Sequence, residues 1–137
     1  VVVLNYNMQE IYFENEVTQL FIRDGIAFCV YKPNAVVMLK IAEEIVQKRL
    51  EMTNNKIFPL FADLRQLKYY TKEARAYMGK EGSQLASGGV LVINSTIHRI
   101  IGNYFIKFDR PQIPVRLFTD EQKALEWLQQ FKTQSVL

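Results

Sequence analysis

The chain has 137 residues, 49% hydrophobic and 23% charged, a length and balance that suit one folded domain, 1–137, and exclude a disordered chain. A net charge of +3, with acids interspersed among the bases, is too mild for a dedicated nucleic-acid binder. One cysteine excludes an internal disulfide framework and a cysteine metal site, and no apolar run approaches the ~20 residues of a membrane-spanning helix. The expectation is a cytoplasmic protein with no membrane association and with loosely ordered ends at 1–9 and 133–137.

Two short strands are predicted over 10–16 and 19–23, where Tyr12, Val17, Leu20 and Ile22 supply β-formers. Asp24-Gly25 is a two-residue hairpin turn into 26–31, a run apolar on both faces like a central strand covered on two sides. Cys29, inside that run, reads as a small buried hydrophobe. After the loop 32–34, with Asn34 as N-cap, helical spacing runs from 35 to about 52. Met38, Ile41, Ala42, Ile45, Val46, Arg49 and Leu50 form its stripe. A strand over 57–62 follows. Pro59 cannot donate to a ladder, so it predicts a bulge or an outward-facing amide near the strand's start.

A polar loop, 63–71, separates that strand from a helix that Thr71 caps and that runs to about 86, with Ala74, Tyr77, Met78 and Leu85 inward. Gly88-Gly89 reads as a turn into a second doubly buried strand, 90–93. Asn94 is expected to cap a helix over 95–108. Its apolar positions Ile97, Ile100, Ile101, Tyr104, Phe105 and Phe108 fit the i, i+3, i+4, i+7 template of an inward face. Ile106 falls off that stripe and is expected to be exposed, as is His98 beside Arg99 on the polar side. Pro111 and Pro114 bracket a loop before a strand over 115–118, and Asp120 caps a closing helix over 121–131. The fold class is therefore α/β: an N-terminal antiparallel strand pair, then four βα units, giving a mainly parallel mixed sheet with helices packed on it.

Catalytic patterns are missing. The only histidine, His98, has no acid nearby in sequence to orient it, and there is no Walker loop, dinucleotide fingerprint or zinc spacing. The chain reads as a non-enzymatic binding module with no cofactor and no metal. In open α/β sheets, ligands settle beyond the carboxyl ends of parallel strands. The candidate binding residues there are Asp63, Arg65, Lys68, Tyr69, Tyr70, Thr71, Lys72, Asn94 and Ser95. Basic side chains crowd a helix start whose dipole favours acids, so a bound anion would relieve the conflict. A merely solvated basic face is the plainer alternative. The two tyrosines favour a protein contact. Asp63, Tyr70, Asn94 and Asp120 are expected along one rim.

The stretch Phe61-Ala62-Asp63-Leu64-Arg65-Gln66-Leu67, the helix opening at Thr71 and the strand from Val90 to Asn94 together resemble a STAS-type domain of the SpoIIAA-like superfamily. The end, Leu117-Phe118-Thr119-Asp120-Glu121 with Ala124-Leu125-Trp127-Leu128, resembles a bacterial SpoIIAA-like branch without assigned function. The resemblance implies four βα turns over a mixed sheet. In the antagonist members a serine at the start of the second helix is phosphorylated to control binding of a kinase. The matching stretch here, Thr71-Lys72-Glu73-Ala74, has no serine. What the resemblance leaves is a regulatory or interaction module with a protein partner. The alternative is a carrier for a small anionic or lipid ligand, held in an apolar pocket between sheet and helices. Self-association through Ile106, Tyr69 and Tyr70 is a further expectation.

Overall fold

The structure is a computed structural model in which residues 10–132 are described; both expected loose ends lie outside them. The first strand, β1 (Ile11–Glu14), pairs antiparallel with β2 (Thr18–Arg23), which pairs antiparallel with β3 (Ile26–Tyr31). At the turn into β3, Asp24 and Gly25 both take positive φ, 50° and 75°, as the right-handed twist of a tight hairpin requires. Strands β5 (Phe58–Asp63), β7 (Ala86–Val92) and β8 (Val115–Phe118) extend the sheet in parallel, in the order β1-β2-β3-β5-β7-β8. Between and after these lie α1 (Leu39–Met52), α2 (Lys72–Lys80), α3 (Thr96–Tyr104) and α4 (Glu121–Leu128), so the four βα units stand as expected. The β5–β7 register slips between Phe58 and Leu60, around Pro59, the irregularity its missing N–H demands.

Alternation along each strand sends neighbouring side chains to opposite faces. On one face Phe21, Phe28, Phe61, Val90 and Val92 pack with Ala124 and Leu128 of α4. On the other, Leu20, Ala27 and Tyr31 pack with Ala42 and Ile45 of α1 and Ala74 of α2, and Leu117 joins them beneath α3. Among the described residues the sheet is thus a central layer with α4 behind it and α1, α2 and α3 in front.

Four local expectations fail, each for a reason that lies beyond local sequence. Residues Ala35–Val37 are not helical but form β4, a short strand parallel to β6 (Leu67–Tyr70), which itself occupies half of the expected loop. Asn34 is no N-cap: its φ is 61°, and its N–H donates to the Gln66 carbonyl at 3.0 Å. Helix α1 therefore starts at Leu39, leaving Met38 exposed, and Met38 caps it with no side-chain bond. Helix α2 stops at Lys80, where Glu81–Ser83 tighten into a 3₁₀ turn and Ser83 Oγ donates back to the Gly79 carbonyl at 2.8 Å. Gly88 and Gly89 then lie inside β7, not in a turn. At Gly88 the Phe131 ring takes the space of a side chain: a Cβ would sit 2.7 Å from its Cγ. Cys29 is half-buried against the α1–α2 face, its Sγ 3.3 Å from Thr18 Oγ1, and burial pushes its thiol up.

The largest departure concerns α3, capped by Ser95, whose Oγ accepts the His98 N–H at 3.1 Å, and not by Asn94. Its apolar spacing is present but faces the other way. Ile97, Ile100 and Tyr104, with Phe108 on the π-helical turn Phe105–Asp109, are 65%, 62%, 42% and 59% exposed. The inward side instead carries His98 and Gly102, with Ile101, Phe105 and Ile106 half-buried. Gly102 decides the rotation: a Cβ there would meet Leu117 Cδ2 of β8 at 2.5 Å, so the helix axis comes closest to the sheet where the side chain is smallest. His98 fits beside it because its Nε2–H donates to the Leu67 carbonyl of β6 at 2.8 Å. Its Nδ1 is the one buried side-chain nitrogen or oxygen without a partner among the described residues.

Two substitutions separate these sides. Phe61 is fully buried, and Phe61→Ala should cost ~3–5 kcal/mol of unfolding free energy. Ile97→Ala, in contrast, should stay within about 0.5 kcal/mol of wild type. Urea denaturation reads both; a loss at Ile97 as large as an ordinary core deletion would contradict the rotation described for α3.

Candidate functional site

Asp63, Asn94 and Asp120 gather at the carboxyl edge of the parallel strands, as expected. Tyr70 does not join them. It ends β6 in the helix layer, 7% exposed, and its hydroxyl hydrogen-bonds the Tyr31 hydroxyl while the two rings meet edge-on at 5.6 Å. Burial is the first cause that pushes both phenols well above their usual range. Together the pair anchors β6 to β3 and offers no aromatic surface to a partner.

At the edge itself, Arg65 forks onto Asp63 through Nε–Oδ1 at 2.9 Å and Nη2–Oδ2 at 2.7 Å, and reaches Glu121 of α4 through Nη1–Oε1 at 2.6 Å. All three side chains are largely buried. The Asp63 hydrogen bonds raise the Arg65 pKa further above its already high value. This network ties the end of β5 to the start of α4, so Asp63 and Arg65 hold the edge together and are not presented outward. Asp120 serves α4 as a cap, accepting the Lys123 N–H at 3.0 Å. A shallow groove remains beyond, lined by Arg65, Asn94, Ser95, Arg99, Thr119 and Asp120.

The basic start of α2 is partly neutralised from within. Arg75 pairs with Asp109 at 3.2 Å, also donates to the Tyr70 carbonyl at 3.3 Å, and lies 4.8 Å over the Tyr104 ring. Thr71 is the N-cap of α2, its Oγ1 accepting the Ala74 N–H at 3.2 Å. With Arg65 and Arg75 both committed to acids, part of the conflict with the helix dipole is relieved within the fold. Lys68, Tyr69 and Lys72 stay exposed.

Helix α3 touches β6 through His98 and α2 through Tyr104, and the π-helical turn after it touches α2 through Asp109. The two contacts with α2 and the ring pair Tyr104–Phe108, with centroids 4.5 Å apart, make the stripe Ile97, Ile100, Tyr104 and Phe108 a defined surface. Exposed cations lie along the same segment: Arg99 on α3, Lys107 with its Nζ 5.4 Å over the Phe108 ring, and Arg110 just past the π-helical turn. Sequence periodicity found these four residues and assigned them to the core; the signal that would have turned them outward was Gly102 in the middle of the apolar run. Of the three residues expected to mediate self-association, Tyr70 is buried and Ile106 half-buried, leaving Tyr69 exposed.

The sequence profile of one family, described as "Domain of unknown function (DUF7793)", matches residues 20–132, most of the chain. The chain belongs to that family. No curated protein matches it. Among solved structures, the DUF7793 chain is similar to an uncharacterized protein of the DUF3478 family with a SpoIIAA-like fold from Shewanella loihica PV-4. The TM-score is 0.59 at 10% identity, over 81% of this chain and 91% of that one. It is also similar to an anti-sigma factor antagonist from Mycobacterium paratuberculosis, with TM-score 0.55 at 15% identity, over 82% and 92% of the two chains. The fold is SpoIIAA-like, as the STAS-type resemblance implied. Among the described residues no helix is long and apolar enough to cross a membrane, and no group of three or more histidines, cysteines or acids is placed to hold a metal.

The Tyr31–Tyr70 pair makes the DUF7793 domain sensitive to alkali. Phenols whose folded pKa is raised contribute stability that is complete below the ordinary value of ~10 and is lost as pH rises above it. Unfolding free energy should therefore fall above pH ~10, with these two phenols ionising only as the protein unfolds. Tyr70→Phe should flatten that fall; an unchanged slope would mean the pair is not sequestered.

Proposed function

We propose that this domain is a non-catalytic regulatory module that acts by docking a protein partner on the face shared by α3, β6 and the start of α2. The observation that supports it best is the α3 stripe. Four large apolar side chains stand on one side of a helix whose other side already meets the sheet. A contiguous exposed apolar patch bordered by polar residues is what interaction sites look like, whereas scattered surface hydrophobes need no explanation. Tyr69 of β6 is exposed as well, and tyrosine is enriched at interface cores.

The surrounding charge narrows the partner. Arg99, Lys107 and Arg110 belong to the same segment as the patch, whereas Asp109 is engaged by Arg75. A segment with an apolar ridge and acidic flanks fits such a face, while a second copy of the same face would bring cation against cation. The similar structure from Mycobacterium paratuberculosis is an anti-sigma factor antagonist, and a regulatory role through protein contact is carried from it to this chain as part of the proposal. Docking here does not rely on a phosphorylated serine. Thr71, at the matching position, has its hydroxyl occupied as a helix cap, which is a complete account of that residue.

Affinity capture from source cells tests the reading with three baits: wild type, Ile100→Asp, and Lys40→Glu on the exposed side of α1. A partner retained by wild type and Lys40→Glu but lost by at least tenfold with Ile100→Asp, at unchanged thermal stability, is expected. Equal capture by all three would remove α3 from the account.

A further inference from the structure

In front of β5, β7 and β8, beneath α2 and α3, lies a cavity of about 110 Å³. Leu60, Ala62 and Leu91 form its floor, and Met78, Ile101 and Phe105 its roof. It is partly open to solvent, and its walls are almost wholly apolar, the character of a site that takes a small molecule. The lining does nothing to close it. Gly89 sits within β7, where glycine weakens a strand and often marks the approach of a ligand or another chain. A Cβ at Gly89 would meet nothing nearer than 3.8 Å, ordinary van der Waals contact, and its φ is not in the left-handed range. Gly79, Gly88 and Gly102 differ: the space of each side chain is already taken, with neighbours at 2.8, 2.7 and 2.5 Å. Neither backbone conformation nor crowding requires a glycine at position 89. What its hydrogen preserves is the cavity.

We infer that this cavity is a binding site for a small, neutral, apolar molecule of about one aromatic ring. Size sets one limit: a dry apolar cavity of ~150 Å³ accepts benzene, and this one is somewhat smaller, too small for a lipid chain. Wall chemistry sets the other. Every polar side chain on it already has a partner: Tyr31 bonds Tyr70, Ser83 donates to the Gly79 carbonyl and accepts the Gln112 N–H, and Arg75 holds Asp109. A charged ligand would find no counter-charge to meet it, so burial of apolar surface is the driving force. The site is separate from the outward stripe of α3 and stands whether or not that stripe docks a partner.

Benzene is the probe, added to the isotopically labelled protein and followed by amide chemical shifts. Saturable shifts at Ala62, Gly89, Ile101 and Phe105, with a rise in melting temperature, are expected. Gly89→Val should fill the cavity, weaken benzene binding at least tenfold and melt no lower than wild type. If that variant does not fold, Gly89→Ala serves, with a smaller loss of binding. Absence of saturable shifts in wild type, or benzene binding undiminished in a folded Gly89 variant, would overturn the proposal.

Discussion

The contact on which the outer surface depends is Gly102 against Leu117. A helix over a sheet settles where its smallest residue lets the backbone approach, and here that point fixes the rotation of α3 about its own axis. Everything on the helix follows from the choice. His98, four residues back, is carried inward and finds a carbonyl of β6; Ile101 and Phe105 become the roof of a cavity; Ile97, Ile100, Tyr104 and Phe108 are left in water. Fully burying one such side chain is worth ~1.5–3 kcal/mol. Leaving four partly outside forgoes a share of that stabilisation.

A second constraint shapes the sheet's carboxyl edge. The Asp63–Arg65–Glu121 network is buried, and removing one member of such a set leaves an uncompensated charge inside, at ~3–5 kcal/mol. The network crosses from the end of β5 to α4, the one helix on its side of the sheet. Two of the expected binding residues, Asp63 and Arg65, are thus engaged with each other and with Glu121 within the fold.

The strands of the main sheet, their order of appearance and the four βα units were legible because each rests on local pattern: Asp24-Gly25 for the hairpin, Pro59 for the irregular β5 edge, Asp120 and Thr71 for helix starts. What the sequence hid depends on distant neighbours. Ala35–Val37 is a strand because Leu67–Tyr70 comes to lie beside it, and nothing in either segment announces the other. Gly88 looked like a turn because the Phe131 ring that fills its side-chain space arrives from more than forty positions away. Helical periodicity found the apolar arc of α3 but not its direction, since an arc that wide has an inner and an outer half and only packing tells them apart. Of the nine expected binding residues, Lys68, Tyr69 and Lys72 are exposed on β6 and the start of α2. Asn94 and Ser95 lie at the rim groove, and Asp63, Arg65, Tyr70 and Thr71 are engaged within the fold.

The rotation of α3 is the central claim, and methyl NMR with a soluble paramagnetic agent reads it directly. Ile97 and Ile100 methyl signals should broaden strongly, while those of Ile93 and Ile45, in the core, should not, and Ile101 should fall between. Equal protection of Ile97, Ile100 and Ile93 would place the stripe inside the protein and contradict the account.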